Sequence, residues 1–158
     1  MVWLKIFGCA LIIISGGVAA SSFNKIDKDR ISRLEALIEF LTFIRREIDY
    51  FCVPVKEIFL RADPRILSAC GCNENVYDFN SFLNSLTPTP DEEIISVLTS
   101  FSRELGGSYR EEQLKNCDLH IATLVKIKDK AYADAKKNKK LHTILCFSAA
   151  AAIVILII

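Results

Sequence analysis

The sequence predicts an all-α fold: an antiparallel bundle of about six helices between an N-terminal and a C-terminal transmembrane helix. Three observations carry this reading. Apolar residues recur at three- and four-residue spacing through successive stretches, the period of one helix face. No run alternates apolar and polar residues like a half-buried strand, and no Asn-Gly hairpin turn is present. Both ends are apolar: residues 6–23 and residues 143–158 carry no charged side chain.

The first element is expected at residues 1–23. Eighteen uncharged residues, 6–23, span about 27 Å as a helix, close to the hydrocarbon thickness of a bilayer. The competing reading is a cleavable signal peptide, with Lys5 before the apolar run and Val18-Ala19-Ala20 as a small-residue cleavage site. Charge bias favours the span. Lys25, Lys28, Arg30 and Arg33 follow the first apolar run, and seven lysines precede the last one, whereas the outer flanks carry only Lys5 and the amino terminus. The positive-inside rule then puts residues 24–140 in the cytoplasm and both termini outside.

Within that central stretch, an amphipathic helix is expected from Asp27 to Tyr50. Ile31, Leu34, Leu37, Ile38, Leu41, Ile44, Ile48 and Phe51 mark one face, and Arg33, Glu35, Glu39, Arg45, Arg46 and Glu47 mostly the other. Pro54 stops it and opens a short helix through Arg61. Asp63-Pro64 breaks the chain again, and one or two turns end at Gly71. Val76, Phe79, Phe82, Leu83 and Leu86 predict a helix over 75–86. Thr87-Pro88-Thr89-Pro90 is a stiff connector. Thr89 and Glu92 have the spacing of a capping box, with Pro90 at the first helical position. The helix so opened turns Ile94, Ile95, Leu98, Phe101 and Leu105 inward and is closed by Gly106-Gly107. Ser108 and Glu111 form a second capping-box pair. No proline or glycine follows, so one helix is expected to run through Leu114, Cys117, Ile121, Leu124 and Val125 into a terminal span at 141–158.

Composition excludes some functions. A net charge of +1 argues against a polyanion binder, and no nucleic-acid partner is expected. The charge is unevenly placed, with 12 Lys/Arg against 17 Asp/Glu over 24–125, then seven lysines against two aspartates over 126–140. Lys136, Lys137, Lys139 and Lys140 would lie at the membrane surface, where each cation gains about 1 kcal/mol from anionic lipid headgroups. The plainer reading is that they fix topology and keep the helix soluble. Gly106-Gly107 lies between helices and lacks a P-loop lysine and serine. His120 and His142 are the only histidines, and neither is placed to activate a nucleophile. Cys70-Gly71-Cys72 without a second pair is a weak zinc signal, and incidental thiols are the simpler account. No catalytic residue, cofactor or metal is therefore expected. Gly16 with Ala20, and Ser148 with Ala152, give each apolar end a small-xxx-small step on which spans can pack, although alanine is also neutral filler. Arg110, Glu111, Glu112 and Gln113 are either a partner surface or a solvated first turn.

The run Leu105-Gly106-Gly107-Ser108-Tyr109-Arg110-Glu111-Glu112-Gln113, followed by a long helix and a terminal apolar segment, resembles the stage III sporulation protein AB family. So does the earlier pattern of Arg33-Leu34, Leu37-Ile38, Leu41, Glu47-Ile48-Asp49-Tyr50, Pro54-Val55 and Glu57. Tyr109 stands where the family usually has aspartate. The resemblance implies a mother-cell membrane component of a channel-like apparatus joining mother cell and forespore in endospore formers. It also implies a fold similar to a helical domain of the type II secretion inner-membrane platform protein. Implied partners are other membrane and cytosolic components of a secretion-like sporulation complex, including a secretion-type ATPase. Carried over by position, the residues for partner contact are Glu47, Tyr50, Arg110, Glu111 and Gln113.

The expected function is thus a non-enzymatic, membrane-anchored scaffold with its central domain on the mother-cell cytoplasmic side. The alternative is an exported helical domain with a cleaved signal peptide and a C-terminal membrane anchor, binding an extracytoplasmic partner.

Overall fold

The computed structural model describes the backbone of residues 2–51, 54–74 and 76–157. Side chains at 1–24, 55–56, 142–143, 146–147 and 149–158 lie outside the described set. Six helices are present among the described residues: α1 (Val2–Phe51), α2 (Val55–Arg61), α3 (Pro64–Cys70), α4 (Phe79–Ser85), α5 (Glu92–Glu104) and α6 (Arg110–Ile157). The all-α expectation holds. Among the described residues one isolated bridge, Cys72 to Leu86, is the extended pairing.

Two compact units are distinguished. Residues 31–129 form one, and residues 1–30 with 130–158 form the other. The first contains the core described here. Leu34, Leu37, Phe40, Leu41 and Ile44 of α1 are fully buried or nearly so, as are Ile58 of α2, Phe82 of α4, Leu98 and Phe101 of α5, and Cys117 and Leu124 of α6. Aromatic rings form its centre. Phe40 lies 4.9 Å from Phe82 and 5.6 Å from Phe59, and Phe79 lies 5.2 Å from Phe101, centroid to centroid. Each fully buried Phe contributes roughly 1.5–3 kcal/mol by leaving water.

Several helix ends differ from the sequence expectation. The helix expected from Asp27 begins far upstream, because nothing between Phe23 and Asp27 breaks a helix. The helix expected over 75–86 starts at Phe79. Its start is a capping box of unusual composition: Asp78 accepts from the Ser81 backbone N–H at 2.7 Å, and Ser81 Oγ accepts from the Asp78 backbone N–H at 3.3 Å. A serine in the place of Glu or Gln hides this signal. The Thr89–Glu92 box is not formed. α5 begins at Glu92 after Asp91, which makes no side-chain cap bond, and Pro90 precedes the helix.

The Ser108–Glu111 box is not formed either. Gln113 N donates to the Tyr109 carbonyl at 3.0 Å, so Tyr109 holds the cap position, one residue later than expected. Ser108 Oγ is buried without a hydrogen-bond partner. The Gln113 side chain supplies the local closure by donating from Nε2 to the Ser108 carbonyl at 2.6 Å.

Gly71 is the glycine whose conformation the fold requires most. Its φ is 97°, in the left-handed region, and it ends α3. A Cβ there would meet the Thr87 carbonyl oxygen at 2.7 Å. Thr87 N donates back to the Gly71 carbonyl at 2.9 Å, fastening the end of α3 to the Thr87–Pro88 connector, whose peptide bond is cis.

Candidate functional site

The C-terminal end of α1 and the N-terminal end of α6 are joined by alternating charges. Asp118 accepts from Arg45 through both oxygens, Nε to Oδ1 at 2.6 Å and Nη2 to Oδ2 at 3.3 Å. Arg45 Nη1 lies 3.6 Å from Asp49 Oδ2. Arg110 Nη2 donates to the Asp49 carbonyl at 2.7 Å and to its carboxylate Oδ1. Moving back along α1 from Asp49 to Arg45 corresponds to moving forward along α6 from Arg110 to Asp118. The two helices are therefore antiparallel in this unit, as the sequence predicts. The bidentate bond to Asp118 raises the Arg45 pKa above its ordinary value, so this arginine is charged at any pH the fold meets.

This ladder fixes the surroundings of the residues expected to contact partners. Arg110 is committed to Asp49. Gln113 is committed to the Ser108 carbonyl. Glu47 turns inward: it is nine-tenths buried, and Arg61 Nη1 lies 3.4 Å from its Oε2. Arg61 also stands 5.7 Å from the centroid of Phe51 and 4.0 Å from Glu57. These three residues therefore shape the site from behind. Glu111 and Tyr50 are exposed, as are Phe51 and Tyr109, the last of these 90% exposed. Sequence reasoning missed Tyr109 as a contact residue, although three large aromatics within or next to two polar turns are the signal that marks it. Tyr50 and Tyr109 are thus exposed beside Asp49 and Arg110, which are held together by an ionic bond.

Elsewhere, His120 is buried against Phe101, with centroids 5.4 Å apart, and its Nδ1 lies 2.8 Å from the Asn116 carbonyl. It is a core residue on α6 rather than an exposed one. Cys70, Cys72 and Cys117 are unbridged and buried. Burial pushes the Cys70 thiol up to about 12, with Cys72 adding to it. Burial and then Asp118 push Cys117 up to about 11. Neither thiol is a nucleophile at neutral pH. Among the described residues, no three His, Cys, Asp or Glu side chains gather as a metal site would need.

Lys136, Lys137, Lys139 and Lys140 are exposed. Ser148 is exposed and donates to the Leu145 carbonyl at 3.0 Å. The side chains of Ala20 and Ala152, and the surroundings of Gly16, lie outside the described residues, so the span-packing expectation does too. Among the described residues, no helix is long and apolar enough to cross a membrane, and most of the two terminal apolar runs falls outside that set.

The family model of stage III sporulation protein AB matches residues 5–71 and 86–158. The chain belongs to the stage III sporulation protein AB family. Membership gives it a role in stage III of sporulation. Arg45, Asp49, Arg110 and Asp118 all lie within the stretches matched to the stage III sporulation protein AB family, as do Tyr50 and Tyr109. Residues 72–85, which contain α4, lie between those stretches. No curated protein and no solved structure matches the chain.

Proposed function

We propose that this member of the family is a non-enzymatic, membrane-anchored scaffold in a secretion-like channel between mother cell and forespore. Its two apolar ends span the cell membrane, and its central helical domain faces the mother-cell cytoplasm. There it holds cytosolic components of the complex, among them a secretion-type ATPase, beneath the membrane. The observation that carries this reading is the exposure of Tyr50 and Tyr109 next to Asp49 and Arg110, whose ion pair belongs to the Arg45–Asp49–Arg110–Asp118 ladder. Rigid aromatic anchors on a pre-organised backing are what protein interfaces use. A second support is the order of residues in α6. Exposed lysines at 136, 137, 139 and 140 precede exposed Leu141, Ile144 and Leu145, a sequence of headgroup contacts followed by lipid contacts.

Thiol accessibility tests the topology, but the buried native thiols at 70, 72 and 117 are poor probes. Ser100 is exposed on α5, so Ser100→Cys supplies a reporter. With a membrane-impermeant maleimide, the variant is expected to label above the wild-type chain only after lysis. Labelling of intact cells would overturn the cytoplasmic placement and favour the exported alternative.

A further inference from the structure

We propose that the start of α6 is a two-register device, with the Gln113 side chain as its latch and the Tyr109 ring as the part that moves. In the register present, Tyr109 is the cap, and the Gln113 backbone N–H donates to its carbonyl at 3.0 Å. This arrangement leaves the Ser108 hydroxyl buried and without a hydrogen-bond partner. A buried hydroxyl left unpaired carries the full cost of its desolvation. The sequence supplies a second register, one residue earlier, that removes this cost. With Ser108 as cap, its hydroxyl accepts from the Glu111 backbone N–H, and the Glu111 carboxylate accepts from the Ser108 backbone N–H. Glu111 is exposed, so its side chain has room to turn back.

The two registers compete for one carbonyl. Ser108 as cap requires its carbonyl to accept from the Glu112 backbone N–H, the first bond of a helix one residue longer. In the structure that carbonyl accepts from Gln113 Nε2 at 2.6 Å instead. The Gln113 amide therefore closes the present register and holds the chain short of the other. Changing register turns Tyr109 from the cap into the first helical residue, so its ring, 90% exposed, changes direction. The chain before it can follow. Gly106 has a φ of 84°, and a Cβ at Gly107 would come no closer than 3.9 Å to the Glu104 carbonyl oxygen. The chain after it stays in place, because Arg110 is tied to Asp49. Tyr109 belongs to the proposed partner surface, so a partner that prefers one ring direction selects one register. That last step alone rests on the scaffold reading.

The test uses the full chain in nanodiscs, with 3-fluorotyrosine in place of tyrosine. The Tyr109 fluorine signal is identified by its loss in Tyr109→Phe. Saturation-transfer NMR then detects exchange with a minor form of about 1% or more. The wild-type chain is expected to show such a form at Tyr109. Gln113→Ala removes the latch and should raise the share of that form about threefold or more, as losing one hydrogen bond implies. Ser108→Ala removes the second cap and should abolish the minor form, alone and in the Gln113→Ala background. Circular dichroism should stay unchanged throughout, since each substitution touches one helix end. Absence of a minor form in Gln113→Ala would overturn the proposal. So would a minor form that persists in Ser108→Ala, which would make it loop motion without a second cap. The signals are read without a partner, so the device and the scaffold role fail separately.

Discussion

Two seams fasten α1 to the rest of the central unit, and they differ in chemistry. The aromatic seam sets Phe40 among Phe59, Phe79 and Phe82, with almost no surface left to water. The ionic seam sets Arg45 and Asp49 against Asp118 and Arg110, with side chains between 27% and 58% exposed. The first gains from burial, scales with the area removed from water, and is not weakened by charge screening. The second lies in high dielectric, so each pair is individually weak. The difference teaches that stability and orientation are assigned to separate places. The rings hold the unit together, and the charges set the ends of α1 and α6 side by side, where the exposed aromatics emerge.

Breaking each seam should show this. The largest effect is expected from Phe40→Ala, which empties the centre of the ring cluster and should cost about 3–5 kcal/mol in denaturant unfolding. Gly71→Ala tests a third fastening, the hydrogen-bonded contact between α3 and the Thr87–Pro88 connector. The left-handed φ of 97° and a Cβ 2.7 Å from the Thr87 carbonyl oxygen act together, and the expected loss is about 2 kcal/mol. Arg110→Ala should cost less than about 1 kcal/mol, and that small loss should shrink further in high salt. A loss for Arg110→Ala equal to that for Phe40→Ala would remove the distinction between the seams.

Much of the apolar face of α1 was legible in the sequence, because helical periodicity reports burial, although Phe51, expected on that face, is exposed. Leu34, Leu37, Leu41, Ile44 and Ile48 were expected inside and are inside. Phe40 was not among them, because the buried face of α1 is wider than a narrow stripe and takes in Ala36 and Phe40 as well. On α6 the buried line runs through Cys117, His120, Leu124 and Ile127, rotated from the expected one, and a histidine in a charged stretch gives no warning of burial. The ionic seam was not legible. Arg45 and Asp118 are 73 residues apart, and only the folded chain brings them together. For the same reason Glu47, read as a surface carboxylate, proves to be the buried partner of Arg61. Capping boxes misled where two registers were open. The Gln113 amide closes the turn at Ser108, and local spacing alone does not distinguish that from a Ser108–Glu111 pair.

The smallest effect on stability, and the most informative on function, belongs to the exposed rings. Tyr50 and Tyr109 are 76% and 90% exposed, so the Tyr50→Ala/Tyr109→Ala variant should unfold within about 0.5 kcal/mol of the wild-type chain. The measurement that tests the scaffold account most directly is the yield of heat-resistant spores from cells carrying this double variant as their sole copy, with its membrane level checked in parallel. The account predicts normal protein level and a loss of spores of about tenfold or more. Wild-type spore yield at normal protein level would contradict it.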